Sequence, residues 1–290
     1  MQSRRVIQIG LAVVIVGVIA FVFFNGENKS SALFDNKPRN KAVDKDNAGA
    51  PAGFNFDMFE NDIVAKLEKP DADKVMIMRG RLSGRGAMNE NLLVLAKEYE
   101  HLHQPALAGF YFEKLTHLEP NNENVWFGMG KNFFDAEQTV TDQPTFKYFM
   151  SLSYKGLSKV LEMDPNSNYE AMTDQAVNIL EGNNQPPMEG VGLLRKVVQL
   201  DSNNRKALNY LGLFSMQSNQ FDKAVVRFKH LVELGPDNDP NYPYYYRSLG
   251  QAYAGEGKKE EAKEAYKKYK SLVTEESLKQ EADKLIESIN

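Results

Sequence analysis

The strongest constraint on this chain is an alternation of small and large residues that recurs between about Met88 and Glu276. Its clearest copy runs from Arg205 to Asn238. There Leu208, Leu211, Gly212 and Ser215 stand at helical spacing, Ala224, Phe228 and Leu231 follow at the same spacing, and Pro236 ends the unit. The same frame recovers Leu92, Leu95, Ala96, Tyr99, Ala108, Phe112 and Pro120. It then recovers Trp126, Met129, Gly130 and Phe133 with Ser153, Leu157, Val160 and Pro165, and later Tyr246, Leu249, Gly250, Tyr253, Ala262, Tyr266 and Tyr269. Gly or Ala at the eighth position and Ala at the twentieth let two helices approach closely, while large partners fill the space beside them. A helical hairpin of this kind cannot bury its apolar face alone and must stack on its neighbours.

These residues resemble the tetratricopeptide repeat (TPR), a helix-turn-helix unit with a period of 34. The resemblance implies an all-α solenoid of about five repeats over residues 88–276. Spacing between terminators agrees with it: Ser202 to Pro236 is 34, Pro165 to Ser202 is 37, and Pro120 to Pro165 is 45. The 11 extra residues of that last interval are expected around Ala136 to Pro144, on the turn between two helices. The unit from Asn168 to Asn204 is degenerate, since Tyr169, Met172 and Ala176 or Ala171 and Gln175 fit the frame equally. Leu278, Ala282, Leu285 and Ile289 mark a capping helix over Glu275–Ile289, the 277–290 end of the array, as an open apolar end requires. Phe59, Ile63 and Leu67 stripe a helix from Asp57 to Lys69, which with Lys74 to Leu82 forms an N-terminal cap or partial repeat within residues 54–87.

A second feature lies at the other end. Arg4 and Arg5 precede an apolar run from Val6 to Phe24, 19 residues long, which at ~1.5 Å per residue spans ~28 Å, close to a bilayer's hydrocarbon core. The run exceeds a signal-peptide core and ends without a small-x-small cleavage site. It reads as an uncleaved transmembrane signal anchor. The paired arginines keep residues 1–5 in the cytoplasm and send the remainder across the membrane, into the periplasm in a bacterium. Residues 25–53 are rich in Asn, Lys, Asp, Ala and Gly, with Pro38 and Pro51. They read as a flexible linker with a reach of roughly 30 Å, so the array is expected to work beside the inner membrane.

Chemistry is constrained by what the chain lacks. With no cysteine, disulfides, thiol catalysis and cysteine-ligated metals are excluded. A formal charge of −4, from 35 basic and 39 acidic residues, gives no global case for nucleic-acid binding. His101 and His103 lie two residues apart, about 200° around a helix, and cannot share a metal. No His-Glu-x-x-His, Gly-x-Ser-x-Gly or Walker loop occurs. The run Arg79-Gly80-Arg81-Leu82-Ser83-Gly84-Arg85-Gly86 lacks the lysine-serine ending of a phosphate loop and reads as a solvated turn. The expectation is a non-catalytic protein without cofactor or metal.

Binding remains. In a TPR array the first helix of each unit lines a concave surface, and the second, fifth, ninth and twelfth positions face it. They supply Leu93 and Lys97, Phe127, Lys131 and Phe134, Lys206, Asn209, Leu213 and Met216, and Tyr244, Arg247 and Gln251. Cations, amides and apolar side chains in this mixture suit a protein or peptide client. A second copy of the chain is a further candidate partner. Lys206, Asn209 and Arg247 resemble part of the carboxylate clamp of chaperone-binding TPR domains, although the ordered Lys-Asn-Asn-Lys-Arg set is incomplete. From Tyr169 to Leu234 the order of a degenerate helix, a long Gly/Asn/Pro turn, Gly192–Asp201, Ala207-Leu208-x-x-Leu211-Gly212 and Phe221-x-x-Ala224-Val225-x-x-Phe228 is also similar to the TPR segment of membrane-anchored cytochrome c maturation factors. That likeness implies chaperoning of an apocytochrome for haem ligation. The broader expectation is a membrane-anchored scaffold for a client. An accessory subunit of a membrane-associated enzyme, or of secretion or envelope assembly, is the alternative.

Overall fold

The structure is a computed structural model that describes residues 50–51, 54–84, 87–166, 168–182 and 187–289. The anchor expected at 6–24 and nearly all of the expected linker lie outside these residues. No helix among the described residues is long and apolar enough to cross a membrane. The described residues form thirteen helices and no strand: α1 Phe56–Val64, α2 Lys69–Arg81, α3 Met88–His101, α4 Pro105–Leu118, α5 Glu123–Glu137, α6 Gln143–Met163, α7 Tyr169–Gly182, α8 Pro187–Leu200, α9 Arg205–Gln217, α10 Phe221–Glu233, α11 Tyr242–Gly255, α12 Lys259–Leu272 and α13 Glu276–Glu287. They belong to two compact units that divide at Gly190, inside α8.

Within the first unit α3 and α4, and α5 and α6, pack as hairpins, and α7 packs on α6. Within the second, α9 and α10 pair, α11 and α12 pair, and α13 packs on α12. Capping explains where the first helices begin. Asn122, Asn168 and Asn204 each accept a backbone N–H of the following helix, from Asn124, Ala171 and Ala207, which satisfies donors that the first turn leaves open. Three hairpins then turn in the same way. His103, Asn219 and Gly257 adopt left-handed backbone, and the next residue donates its N–H back to Tyr99, Ser215 and Tyr253 respectively, the 6→1 bond that ends a helix sharply.

The small and large residues meet as the spacing requires. A Cβ on Gly212 would lie 2.7 Å from the Phe228 ring and one on Gly250 would lie 2.5 Å from Tyr266. In the α5–α6 hairpin the approach is closer still, because a Cβ on Gly156 would lie 2.6 Å from the backbone nitrogen of Gly130. Here helix touches helix through main chain. Ser153 Oγ donates to the Gly130 carbonyl at 2.9 Å across the same seam.

Two expectations change in detail. The extra residues between Pro120 and Pro165 do not form a long turn: α5 continues to Glu137, the turn occupies 138–142, and α6 extends to 21 residues. Asp142 caps this longer helix by accepting the Thr145 N–H at 2.9 Å. Its added turns pack Tyr148 and Phe149 against Phe110, with Phe54 stacked on Phe110. The stripe expected from Asp57 to Lys69 divides, since α1 stops at Val64 and α2 starts at Lys69 with Pro70 in its first turn. Proline has no N–H to donate and fits the start of a helix rather than its middle. Arg79 to Arg81 accordingly lie in the last turn of α2, and the turn follows at 82–84.

Carboxylates hold the flanking helices in each unit. Glu60 on α1 is buried, accepts the hydroxyls of Tyr99 at 2.6 Å and Tyr111 at 2.8 Å, and pairs with Arg79 at 3.1 Å. Burial, with Glu60 adding to it, pushes both tyrosine pKa values far up. In the second unit Glu281 on α13 accepts from Arg247 Nη2 at 2.7 Å and from the Tyr269 hydroxyl at 3.0 Å.

Gly156→Ala should cost about 1–3 kcal/mol, because the backbone of α5 cannot yield, and should lower the thermal midpoint by several degrees. Gly192 has open space around its missing Cβ, so Gly192→Ala should instead gain about 0.5–1 kcal/mol from helix propensity. Melting curves of the two variants check the contrast in sign.

Candidate polypeptide-binding faces

In the first unit α5 and α7 lie side by side, and Lys131 Nζ joins them by pairing with Glu170 at 2.6 Å while lying 3.8 Å from Asp135. Burial disfavours the charged form of Lys131, but Glu170, with Asp135 and Asp174, raises its pKa overall. Asn132 ties α5 to α3 by donating to Glu100 at 2.7 Å. Lys97 pairs with Glu100 at 2.8 Å and lies over the Phe112 ring. Leu93 is exposed. Phe127 is half-buried against the Leu157, Val160 and Ala171 cluster, and Phe134 is buried. The face therefore carries apolar and charged groups together, but its two lysines are engaged with carboxylates.

Sequence reasoning missed the polar interior of α7. Ala171 through Ile179 are all buried, including Thr173, Asp174, Gln175 and Asn178. Both frames for this degenerate unit are therefore inside. Gln175 donates to Ser158 Oγ at 2.8 Å and Asn178 donates to Ser153 Oγ at 2.8 Å, so α6 meets α7 through hydrogen bonds as well as methyl groups. Beside them lies Glu137, 1% exposed. Its pKa is raised to about 9 by burial first, then by the charges of Glu181, Asp174 and Asp135. In the frame of the repeat, Glu137 occupies the position of His103, Asn219 and Gly257. The lengthened hairpin keeps it helical, so a residue that elsewhere turns the chain in solvent is enclosed here.

In the second unit Lys206, Asn209, Leu213 and Met216 are half-buried and recur at i, i+3, i+7 and i+10 on one side of α9. Leu213 and Met216 pack against the core cluster around Phe228, Tyr245 and Leu249. Tyr244, Arg247 and Gln251 form the corresponding stripe on α11, and α9 and α11 are neighbours. The structure engages part of this stripe with α13. Arg247 is 7% exposed and held by Glu281, while Tyr244 packs with Tyr269 and Leu278. The remaining tyrosines of the 242–246 run also serve packing: the Tyr245 hydroxyl donates to Asp239 at 2.7 Å and that of Tyr242 to the Val232 carbonyl at 3.2 Å. Among the described residues no group of three or more His, Asp or Glu is arranged to hold a metal ion.

A family model for the tetratricopeptide repeat matches residues 243–272, the α11–α12 hairpin. A search of curated proteins finds no significant match. Solved structures are similar at the level of fold. A MamA RS-1 double mutant has a TM-score of 0.53 and 17% identity, covering 69% of this chain and 99% of that one. YrrB, described as a TPR protein with an unusual peptide-binding site, has a TM-score of 0.52 and 16% identity over 71% of this chain and 97% of its own. PilW, described as a type IV pilus biogenesis factor, has a TM-score of 0.52 and 18% identity over 70% and 87%. Identities this low show a shared fold, the stacked helical hairpins of a TPR array, and nothing finer.

The buried carboxyl makes stability depend on pH. Above about 4.3 an unfolded glutamate has lost its proton, whereas folded Glu137 keeps it until about 9. The folded state binds the extra proton throughout that window, so its stability falls as pH rises. Glu137→Gln removes this dependence. Relative to the unaltered chain it should gain stability from pH 5 to about 9, read from denaturant midpoints at each pH, and a constant difference across the range would refute the burial of an ionisable carboxyl here.

Proposed function

We propose that this chain is a non-catalytic scaffold that binds a protein or peptide client along the first helices of its repeats, tethered to the inner membrane by residues 6–24 with the array in the periplasm. The observation that carries the binding reading is the placement of Lys206, Asn209, Leu213 and Met216 on one stripe of α9. Such a stripe offers hydrogen bonding and charge beside apolar area, as a groove that takes an extended or helical segment does. In the first unit Lys97, Phe127 and Lys131 supply the same mixture. Of the stripe on α11, Gln251 completes this face. Tyr244 and Arg247 act through α13, so a clamp for a terminal carboxylate has lost the arginine it would need.

The tether supports the second half of the proposal. The apolar run of 19 residues behind two arginines is long enough to span a bilayer. A linker reach of roughly 30 Å keeps a bound client beside the membrane, which suits a scaffold that hands clients to a membrane-embedded assembly.

Site-specific photo-cross-linking tests the reading. A benzophenone amino acid in place of Phe127 or Leu213 should capture a polypeptide in intact membranes, whereas one in place of Val226, exposed on α10, should not. Absence of a cross-link at both groove positions refutes client binding there. Release of the chain from membranes by alkaline carbonate refutes the anchor.

A further inference from the structure

Helix α2 is apolar on more than one side. Val75, Met76, Ile77 and Met78 follow one another in it, and four successive residues at about 100° each point around most of a helix. Val75 is enclosed and Met78 half-buried, but Met76 and Ile77 are 61% and 62% exposed. Two contacts with α3 fix where they lie. Lys74 pairs with Glu98, and Asn91 Nδ2 lies 3.5 Å from the Arg81 carbonyl oxygen. Lys74, Ile77 and Arg81 stand at i, i+3 and i+7 on α2, and Asn91, Val94 and Glu98 stand at i, i+3 and i+7 on α3. The two stripes run antiparallel, so Ile77 lies level with Val94, itself 47% exposed.

The last helix of the array is finished differently. Among the described residues no large apolar side chain after Val226 is exposed, so α13 presents polar groups where α2 presents Met76 and Ile77. Lys69 and Arg81, both exposed, flank this apolar pair, seven residues before Met76 and four after Ile77, with Asp73 between them. Three side chains supply far less than the roughly 1,200–2,000 Å² that a stable protein interface buries. A contact so small does not hold a free partner, whether a second copy or a client. It suffices for a surface to which the chain is already held, because a tether makes the second contact intramolecular. The chain enters the described residues beside this helix: residues 1–49 precede Ala50, and Glu60 and Asn61 of α1 bind Arg79 of α2 at 3.1 and 2.9 Å. A linker reach of roughly 30 Å brings a bilayer held by residues 6–24 within range of α2. Apolar side chains with long cations at their margins match the interface of an anionic bilayer, where the stems lie along the acyl boundary and the charged heads among the phosphates.

We propose that Met76, Ile77 and Val94 form a lipid-facing patch that seats the first unit on the surface of the membrane that anchors the chain. This rests on the membrane-tethered half of the proposed function and deepens it. The linker then supplies slack, and α2 sets how the first unit is oriented against the bilayer.

The chain has no cysteine, so Ile77→Cys, Val94→Cys and Met188→Cys variants of the full chain each take a single NBD fluorophore. Met188 is the control, exposed at the start of α8 with α3 to α7 between it and α2 in chain order. The variants are placed one chain per nanodisc of phosphatidylethanolamine and phosphatidylglycerol, with and without doxyl-labelled lipid. The labels at 77 and 94 should lose at least about half of their emission to the doxyl lipid, as expected at the boundary of headgroups and acyl chains, and the label at 188 about a tenth or less. Met76→Ser with Ile77→Ser should restore emission at 94 with an unchanged helical circular-dichroism signal. Equal quenching at all three positions, no quenching at 77 and 94, or quenching that the serine pair leaves unchanged overturns the proposal. Shielding of position 77 that requires two chains in one disc overturns it in favour of self-association. Alkaline carbonate separates the patch from the anchor: a chain retained in membranes but unquenched at 77 and 94 rejects the patch alone, whereas a released chain removes both.

Discussion

The α9–α10 and α11–α12 hairpins each depend on a residue without a side chain meeting an aromatic ring across the seam. Gly212 against Phe228 and Gly250 against Tyr266 bring two helices closer than any Cβ would permit. At Gly130 and Gly156 even the ring is dispensed with, and two backbones make contact. Close approach increases dispersion contacts and leaves no void. It also fixes the rotation of each helix, because a glycine turned away from its partner would leave the ring exposed. The stripe that faces outward on a first helix is consequently set by the residue that faces inward. Lys206, Asn209, Leu213 and Met216 share a side of α9 because Gly212 must point to α10.

Departures from the repeat are as informative as the repeat itself. Lengthening α6 removes the left-handed turn residue found at His103, Asn219 and Gly257 and leaves Glu137 helical, enclosed and protonated. The neighbouring α7 is polar inside, and its hydrogen bonds to α6 through Ser153 and Ser158 specify one register where apolar contacts alone would tolerate sliding. The flanking helices are likewise fixed by single carboxylates. Glu60 gathers Tyr99, Tyr111 and Arg79, and Glu281 gathers Arg247 and Tyr269. The buried carboxylate of Glu60 costs little once its donors satisfy it and a great deal if one is lost, and the half-buried Glu281 ties two further donors to α13, so both act as specific locks on the helices that cover each unit.

The frame of small, aromatic and proline residues was enough to read the hairpins, the helix at Glu276–Glu287 and the inward positions, since each rests on local spacing that a helix imposes. Less legible was anything set by contacts distant in sequence. Nothing near Arg247 shows that Glu281, 34 residues on, will take its guanidinium, and so a residue that counts as a groove cation becomes part of the cap. Lys97 and Lys131 carry positive charge in the sequence, yet Glu100 and Glu170 pair with both of them. Pro70 could have divided the N-terminal stripe correctly, because a proline in the first turn marks a helix start. The extra length between Pro120 and Pro165 was visible, but whether it becomes loop or helix depended on Asp142 as a cap and on Tyr148 and Phe149 finding the ring of Phe110.

The interlock itself is most directly measured by a double-mutant cycle on one seam, Gly212→Ala with Phe228→Leu, read as unfolding free energies. With Phe228 present the added methyl group should destabilise the chain, and in the Phe228→Leu background, where the ring no longer fills the space, the same methyl group should be tolerated or stabilising, giving a coupling of about 1 kcal/mol or more. Additive effects of the two substitutions would show that glycine and ring do not meet, and would contradict the account of how these helices pack and of which residues they turn outward.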